Sequence, residues 1–563
     1  MGSMTKAHLL VAIVVSVTAA WGQNRWQARS MVVSRMGIVA TSQTLASQAG
    51  AQVLARGGSA ADAAIAANAV LAVVEPMSCG MGGDLFAIYW EARTGKLWGL
   101  NASGWAPRGL TIEVLKQRGY SSMPQSGILS VSVPGAVEGW KKLHRRFGRL
   151  PWQDLFAPAV YYARNGFPVT EIIAEHWKDS ETKLAADAEA RRVFLPGGVP
   201  PKTGEIFRNP DLARAFELLA RLGPDAFYKG PIAEALLRTS RRLGGVLAPE
   251  DLSEFEAEWV EPISTTYRGW TVYELPPNSQ GIAALEMLNI MEHFPLPEWP
   301  AASARAWHVK IEAQKLAYED LRRYVGDPRF ARVPVRGLLS KAYAAERARL
   351  IRPDRAECAP SAGSPPPGDT VYLAVVDREG NIASLIQSIY LHFGSGVVVE
   401  GMGFHLHNRA ALFELDPGHP NALAPRKRPF HTIIPAFMEK GPLKVGFGIM
   451  GGYNQAQAHA QFVSYLADHG MNIQAALEAP RFTKLTFGGC DLMMESRVPL
   501  DVRSELARLG HRITWLGEFS GSVGGGQVVM HDAAARVNYG ASSPRKDGAA
   551  VPEPDPYYER GRP

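Results

Sequence analysis

Thr370 is the strongest candidate for a catalytic nucleophile in this sequence, because of the residues on either side of it. Residues 359–368 read APSAGSPPPG, the composition of a linker, and a β-branched run typical of a strand begins at Thr370. If the peptide bond before Thr370 is cut, the new α-amine has an ordinary pKa of about 7.7–8.0. That amine can accept the proton of the Thr370 hydroxyl, so one residue would supply both nucleophile and base. The alternative is a threonine that only begins a strand.

Other catalytic and metal-binding signatures are absent from the sequence or incomplete. It contains no Walker A loop, HExxH or GxSxG elbow. Residues 180–183 (SETK) and 202–204 (KTG) match parts of the penicillin-recognising serine enzymes, but they lie too close together for that fold. His405 and His407 alternate on a predicted strand and would share one face, which is half of a metal site. Lacking a spaced partner, they are interpreted as packing or hydrogen-bonding residues, and no metal is expected.

The three cysteines, Cys79, Cys358 and Cys490, are odd in number and widely spaced. They cannot form a disulfide framework or a CxxC-type zinc site. We therefore expect buried or incidental thiols, with a nucleophilic cysteine as the alternative.

The composition is that of a soluble globular protein. The 563 residues are 46% hydrophobic and 20% charged, which excludes disordered, collagen-like and coiled-coil classes. The net charge is +6, and its densest basic cluster is 426–428. No basic stripe with interleaved aromatic residues occurs, so a nucleic acid partner is not predicted.

The amino terminus carries an apolar run, residues 9–20, behind Lys6. This run is shorter than the roughly 20 residues needed to cross a bilayer. It fits a secretory signal peptide over residues 1–22, cleaved after the small-x-small sequence at 20–22. The alternative is a membrane-anchored or buried helix. The sequence thus predicts an exported protein, periplasmic or secreted, with no membrane contact beyond this segment.

The predicted elements around Thr370 come in pairs of strands and separate blocks of helices. Residues 370–377 and 382–390 form one predicted hairpin, and residues 433–437 and 443–449 form another. Alanine-rich helices at 45–54 and 60–73 are suited to close packing on a sheet. Helical patterns dominate from 135 to 350. This arrangement favours α+β layers over alternating βαβ units.

The order of several segments resembles the γ-glutamyltransferase family of N-terminal-nucleophile hydrolases, across nearly all of the chain after residue 22. The segments that carry the resemblance before Thr370 are 37–41, 57–64, 80–84, 134–137, 223–230 and 326–330. Those from the predicted cut onward are 369–370, 375–377, 380–381, 393–396, 428–429, 451–452 and 540–545.

The resemblance implies a four-layer αββα sandwich and a precursor that cuts itself between Asp369 and Thr370. The products would be a large fragment, 23–369, ending in the linker 359–369, and a small fragment, 370–563, that stay packed together. Thr370 would form an acyl-enzyme with a small amide substrate, resolved by water or an amine or peptide acceptor without a cofactor. Ser388 would hydrogen-bond the nucleophile. The backbone N–H groups of Gly451 and Gly452 would form the oxyanion hole, where glycine allows close approach.

Two charged anchors of the family are missing. The arginine that grips the substrate α-carboxylate is replaced by Ser103, and the acidic residue that receives the α-ammonium is replaced by Leu412. A serine pair reads His431-Thr432, and Arg409 occupies a position that usually holds an uncharged amide. The predicted substrate-binding residues are Ser103, Tyr390, Arg409, His431 and Thr432.

These departures bear on the substrate. The family's activity is glutathione hydrolysis and γ-glutamyl transfer, but losing buried charged partners typically weakens affinity a hundredfold or more. The chain is more similar to a divergent branch of oxamate-amidohydrolase-type and cephalosporin-acylase-like members. Arg409 then recognises an acidic acyl group or, alternatively, pairs structurally with a nearby carboxylate. A catalytically weak binding protein and an uncut structural relative are the competing hypotheses.

Overall fold

The computed structural model describes residues 27–358 and 369–557. The predicted signal peptide and most of the predicted linker lie outside the described residues. Within these ranges, no helix is both long and apolar enough to cross a membrane.

The described strands belong to two large sheets and two small ones. In chain order they are β1 (Val32–Ser34), β2 (Ile38–Thr41), β3 (Asp84–Glu91), β4 (Lys96–Ala102), β5 (Phe167–Pro168), β6 (Ile206–Phe207), β7 (Glu258–Val260), β8 (Ile263–Tyr267), β9 (Trp270–Glu274), β10 (Asp369–Val376), β11 (Ile382–Tyr390), β12 (Ala436–Lys440), β13 (Leu443–Ile449), β14 (Phe482–Thr483), β15 (Asp491–Glu495), β16 (Arg512–Leu516), β17 (Gly526–Asp532), β18 (Val537–Ser542) and β19 (Ala549–Pro552).

The described helices fall mainly between β4 and β10. In chain order they are α1 (Thr44–Ala55), α2 (Ala60–Val74), α3 (Ile112–Gln117), α4 (Ala136–Phe147), α5 (Ala157–Asn165), α6 (Glu171–Asp179), α7 (Glu181–Ala185), α8 (Ala188–Phe194), α9 (Pro210–Leu222), α10 (Asp225–Tyr228), α11 (Pro231–Arg242), α12 (Pro249–Ser253), α13 (Gly281–Met291), α14 (Ala304–Tyr324), α15 (Val335–Leu338), α16 (Lys341–Ala348), α17 (Asn454–Ala467), α18 (Ile473–Glu478) and α19 (Leu500–Arg508).

Two seven-stranded sheets lie face to face between layers of helices. One has the order β19-β2-β10-β11-β3-β4-β7, and the other has the order β1-β18-β17-β13-β12-β9-β8. Helix α2 packs on β10 and β11 of the first sheet, while α13 and α17 pack on the second. Strand β10 also contacts β13 and β17 across the interface between the sheets. The fold is therefore the expected α+β, four-layer αββα sandwich.

Three hydrophobic clusters correspond to the three interfaces between these layers. The cluster between the sheets is small, and it includes Tyr372, Ile386 and Phe437. The larger clusters bury the helices on each outer face. Helix α2 is buried along its whole length, because its alanines allow the close approach that a helix between neighbours requires. Strands β10 and β11 are thus covered on both faces, which fixes the side chains at their ends.

Local signals in the sequence fixed several element ends. Ser59 caps α2 through a capping box with Asp62, and the Asn209 side chain caps α9. The hairpin of β10 and β11 is confirmed. The second hairpin is also confirmed, but β12 begins at Ala436, three residues after the predicted start. Pro435 immediately before it lacks the N–H that a paired strand residue donates.

Two predictions about local structure are wrong. His405 does not lie in a regular strand; it forms an isolated bridge with Val398. Gly401 and Gly403, both at positive φ, turn the chain immediately before it. Cys358 and Cys490 are not incidental thiols, since they form a disulfide. Their separation of 132 residues hides the pairing, which arises where distant segments pack together.

Candidate active site

Thr370 lies at an irregular point of the central hairpin. The register of β10 against β11 shifts between Asp369 and Val371, and such a bulge can re-aim a side chain. Thr370 is fully buried, and its hydroxyl donates to the Ser388 hydroxyl at 3.3 Å. The Ser388 oxygen in turn accepts from the Tyr390 N–H at 2.8 Å. The hairpin therefore places the predicted second hydroxyl beside Thr370.

Gln455 contacts the same hydroxyl from helix α17, which packs on the opposite sheet. Its side-chain amide nitrogen donates to Thr370 Oγ1 at 3.4 Å. Its amide oxygen accepts from the Ile434 N–H at 2.9 Å, which fixes the orientation of the amide. No role was predicted for Gln455, although it lies three positions after Gly452 and in the first turn of α17.

Gly451 and Gly452 lie in the turn between β13 and α17, with φ angles of +118° and +59°. Both angles are in the region that favours glycine. The Gly452 carbonyl accepts from the Gln280 side chain at 2.8 Å, and Gln280 also donates to the Thr432 carbonyl. Among the described residues, none accepts a hydrogen bond from the N–H of either glycine. The hydrogen bond from Gln280 to the Gly452 carbonyl thus holds the turn, and the N–H groups of both glycines stay available to bind a ligand.

Arg409 is a fully buried cation, and the part of the chain that the structure describes offers it no carboxylate partner. Its Nη1 donates to Thr432 Oγ1 at 2.7 Å, and its guanidinium lies 4.7 Å from the centre of the Tyr390 ring. Within 27–358 and 369–557, its Nε and Nη2 have no hydrogen-bond partner, and no carboxylate lies at ion-pair distance. Burial lowers its pKa to about 10, partly offset by Asp84. Arg409 therefore remains charged at neutral pH.

Asp84 organises a buried polar cluster on the other side of Arg409. His431 donates from Nε2 to Asp84 Oδ2 at 2.9 Å, and His407 Nδ1 lies 3.4 Å from the same oxygen. Burial alone would raise the pKa of Asp84, but the two histidines outweigh it and hold the pKa well below its usual range. Burial, reinforced by Arg409, lowers the pKa of His431 to about 3. His431 is therefore a neutral donor to an ionised carboxylate.

Asp84 also stands next to the predicted catalytic strand. It is the register partner of Ser388 in the pairing of β3 with β11. Its second oxygen accepts from the N–H groups of Gly104 and Gly135 at 2.9 and 3.2 Å. In the sequence, Asp84 stands out only as the last residue of the family segment 80–84. An acidic residue ending a glycine-rich segment and beginning an apolar strand was the available signal.

Ser103 uses its hydrogen bonds internally. Its hydroxyl donates to Asn101 Oδ1 at 2.7 Å and accepts from Asn278 Nδ2 at 3.2 Å. Its carbonyl accepts from Arg428 Nε at 2.9 Å. Asn278 also accepts from the N–H of His431 through its backbone carbonyl at 2.8 Å. Ser103 thus supports the loop that carries His431 and offers no charge to a substrate.

A cavity of about 640 Å³ lies beside Tyr390, the residue whose ring contacts the Arg409 guanidinium. Tyr390 and Tyr453 line it, as does Leu412, at the position where the family's acidic anchor was expected. Thr370 and the two glycines are not part of its lining. The cavity also carries charges of both signs, from Lys116, Arg322, Glu414 and Asp416.

One group elsewhere in the described residues has the composition of a metal site: His308, Glu312 and His511. Its atoms already bond one another and their neighbours. His308 Nδ1 and His511 Nε2 are 2.8 Å apart, and Glu312 accepts from Lys315 at 2.6 Å. The ammonium of Lys315 disfavours a second cation at the same carboxylate.

Residues 46–553 match the family model described as Gamma-glutamyltranspeptidase. The chain is 36% identical over 525 residues to a glutathione hydrolase-like YwrD proenzyme of Bacillus subtilis, covering 92% of this chain and 99% of that one. It is 35% identical over 531 residues to an oxamate amidohydrolase proenzyme of Klebsiella pneumoniae, with the same coverages.

A solved structure shows the same kinship in three dimensions. The crystal structure of a cephalosporin acylase from Bacillus halodurans has a TM-score of 0.88 and 42% sequence identity. The match covers 93% of this chain and 97% of the acylase. Similar proteins therefore carry names for different amide substrates, and the substrate has to be argued from the site.

Proposed function

Because the chain belongs to the γ-glutamyltranspeptidase family, we propose that it is a self-processing amide hydrolase with Thr370 as its N-terminal nucleophile. The relatives named as proenzymes support a processed precursor. The burial of Thr370 and its contacts with Ser388 and Gln455 support the choice of residue. The cut falls between Asp369 and Thr370, and the two fragments stay packed because β10 is an interior strand, paired with β2 of the large fragment.

In the proposed reaction, the new α-amine of Thr370 takes the proton of its own hydroxyl. The Oγ then attacks the amide carbon while the N–H groups of Gly451 and Gly452 stabilise the developing oxyanion. The amine leaves with a proton, and water or an acceptor amine resolves the ester. Ser388 and Gln455 hold the Oγ in place. The mechanism uses no metal and no organic cofactor.

The substrate is proposed to carry an acidic group on its acyl part. The observation that supports this is the buried Arg409 guanidinium with Nε and Nη2 unpartnered among the described residues. An unpaired buried charge is costly, so such a group is expected where a ligand supplies the counter-charge. A carboxylate beside the ring of Tyr390 would satisfy both nitrogens in the bidentate geometry that arginine favours. An oxamate-type amide has its carboxylate directly next to the amide carbon.

Glutathione is a poorer candidate for the substrate. Ser103 and Leu412 occupy the positions of the family's two α-group anchors, and neither carries a charge. A second candidate is an acylase that removes a longer acidic acyl chain from a β-lactam nucleus. The cavity of about 640 Å³ favours it, because cavities of roughly 300–1,000 Å³ suit drug-sized ligands. Export through the signal peptide is part of the proposal for either substrate.

The test of this function is denaturing intact-mass analysis of the wild type beside the variant Thr370→Ala. We expect two fragments with the break before Thr370 in the wild type and an intact chain in the variant. Thr370→Ser is the matched control, since it keeps a hydroxyl and should still be processed. An uncut wild-type chain after prolonged incubation would refute the proposal.

Processed protein is then assayed with oxamate, acyl-β-lactams and γ-glutamyl amides. We expect hydrolysis of amides with an acidic acyl group. A cut protein that no threonine-reactive covalent probe labels would instead support the binding-protein alternative.

A further inference from the structure

We propose that the disulfide between Cys358 and Cys490 covalently joins the two fragments of the processed protein and fastens a loop that walls the substrate cavity. The two residues lie on opposite sides of Thr370 in the chain, with their Cα atoms 5.0 Å apart. The joining role rests on the proposed cleavage, since only a cut chain has two fragments. Cys490 is buried and Cys358 is exposed, so the bond can be reached from solvent on one side.

Residues 351–358 are held against the later part of the chain by more than this bond. The N–H of Ala356 donates to the Leu509 carbonyl at 2.7 Å. Lys315, which belongs to the same predicted fragment, bridges the two parts: it donates to the Glu357 carbonyl at 2.8 Å and to Cys490 Sγ at 3.7 Å. Both contacts fix the backbone immediately before Cys358, and a disulfide needs Cα atoms about 4.4–6.8 Å apart. Packing therefore selects this pairing.

The loop 484–490 connects the disulfide to the cavity. Phe487 lines the cavity of about 640 Å³, and its ring centre lies 5.2 Å from that of Tyr453. Tyr453 directly follows Gly452 in the chain. Cys490 is three residues from Phe487, so a bond that fixes one end of the loop restrains the aromatic wall beside the predicted oxyanion hole.

The bond forms by oxidation of two thiols, which lose two protons and two electrons. The electron acceptor is a disulfide of a thiol oxidoreductase or of a small thiol, which is reduced to two thiols by exchange. Such exchange is favoured in oxidising compartments, in agreement with the proposed export. A dithiol reductant reverses the step and returns Cys358 and Cys490 to thiols.

The test is intact-mass analysis of protein purified without reductant and denatured in N-ethylmaleimide, before and after dithiothreitol. Before reduction we expect one species that contains both fragments and carries one label, on Cys79. After reduction we expect two separate fragments with three labels in total. Cys358→Ser and Cys490→Ser should give two fragments without any reductant. Cys79→Ser is the matched control and should remain a joined species.

The outcomes separate the two proposals. Fragments that come apart without reductant, or three labels before reduction, would overturn the disulfide. A single chain that persists after reduction would refute the cleavage, and the label count would still decide the disulfide. The loop role is tested by steady-state kinetics, where Cys490→Ser should raise KM a few-fold with kcat nearly unchanged. An unchanged KM would overturn that role.

Discussion

Replacing Arg409 by methionine separates a residue that binds substrate from one that supports the fold. Methionine keeps much of the length of the side chain and removes the charge. Arg409 makes one hydrogen bond to protein, to Thr432, and leaves Nε and Nη2 unpartnered among the described residues. If both nitrogens bind the substrate carboxylate, the variant loses two charge-assisted hydrogen bonds.

The size of the effect follows from those two bonds. Each is worth about 1.5–3 kcal/mol, so the loss is at least about 3 kcal/mol. At about 1.36 kcal/mol for each factor of ten, kcat/KM for an acidic amide should fall at least a hundredfold. The free energy of unfolding should change little or even rise, because a buried charge without a carboxylate partner is replaced by an apolar group.

The assay compares kcat/KM for an acidic acyl amide with that for a neutral amide of similar size, together with urea unfolding. Arg545→Met is the matched control, since Arg545 is also fully buried but pairs with Glu495 at 2.6 Å. Its removal leaves the buried Glu495 with Arg497, at 3.2 Å, as its remaining ion pair among the described residues and should cost about 3 kcal/mol of stability. If Arg409→Met unfolds as readily as Arg545→Met, or loses both substrates equally, Arg409 is structural and the substrate proposal fails.

Two further predictions concern other buried groups. Gln455→Met removes the donor to Thr370 Oγ1. In steady-state kinetics, kcat should therefore fall about tenfold or more while KM stays unchanged. An unchanged kcat would exclude Gln455 from the reaction. His405 has both ring nitrogens unpartnered in the described structure, and burial lowers its pKa to about 3 from 6.5. Below pH 6.5 the unfolded chain therefore binds a proton on His405 that the folded protein does not. The free energy of unfolding falls for this reason as the pH drops from 6.5 towards 3. Urea titrations at pH 5 and pH 7 measure this effect. His405→Phe should recover about 2 kcal/mol of the free energy of unfolding at pH 5 relative to pH 7. A pH dependence equal to that of the wild type would contradict this.

Much of the site could be predicted because its signals are local. The linker before Thr370 and the strand after it made that residue a candidate, and the family resemblance selected it as the nucleophile. The resemblance also selected Ser388, in the partner strand of the hairpin, and the pair Gly451 and Gly452 at a strand end. Hairpin registers and tight turns are short-range features, so a pattern of apolar and turn residues is enough to place them.

The contacts between distant segments could not be predicted in this way. Asp84 meets His407 and His431 only because the loops after residue 400 fold over the end of β3. Gln455 reaches Thr370 only because the two sheets lie face to face. No local pattern marks such a pair, since each partner alone reads as an ordinary polar residue.

The sequence by itself predicted the layers of the fold and, through the family resemblance, Thr370 as the nucleophile and the uncharged Ser103 and Leu412 at the two anchor positions. The tertiary structure decided that Arg409 is buried without a carboxylate partner among the described residues and that Cys358 pairs with Cys490. The physical reason is that burial and pairing depend on which surfaces meet. The two cysteines, for example, are 132 residues apart, beyond the range of any helical or strand periodicity.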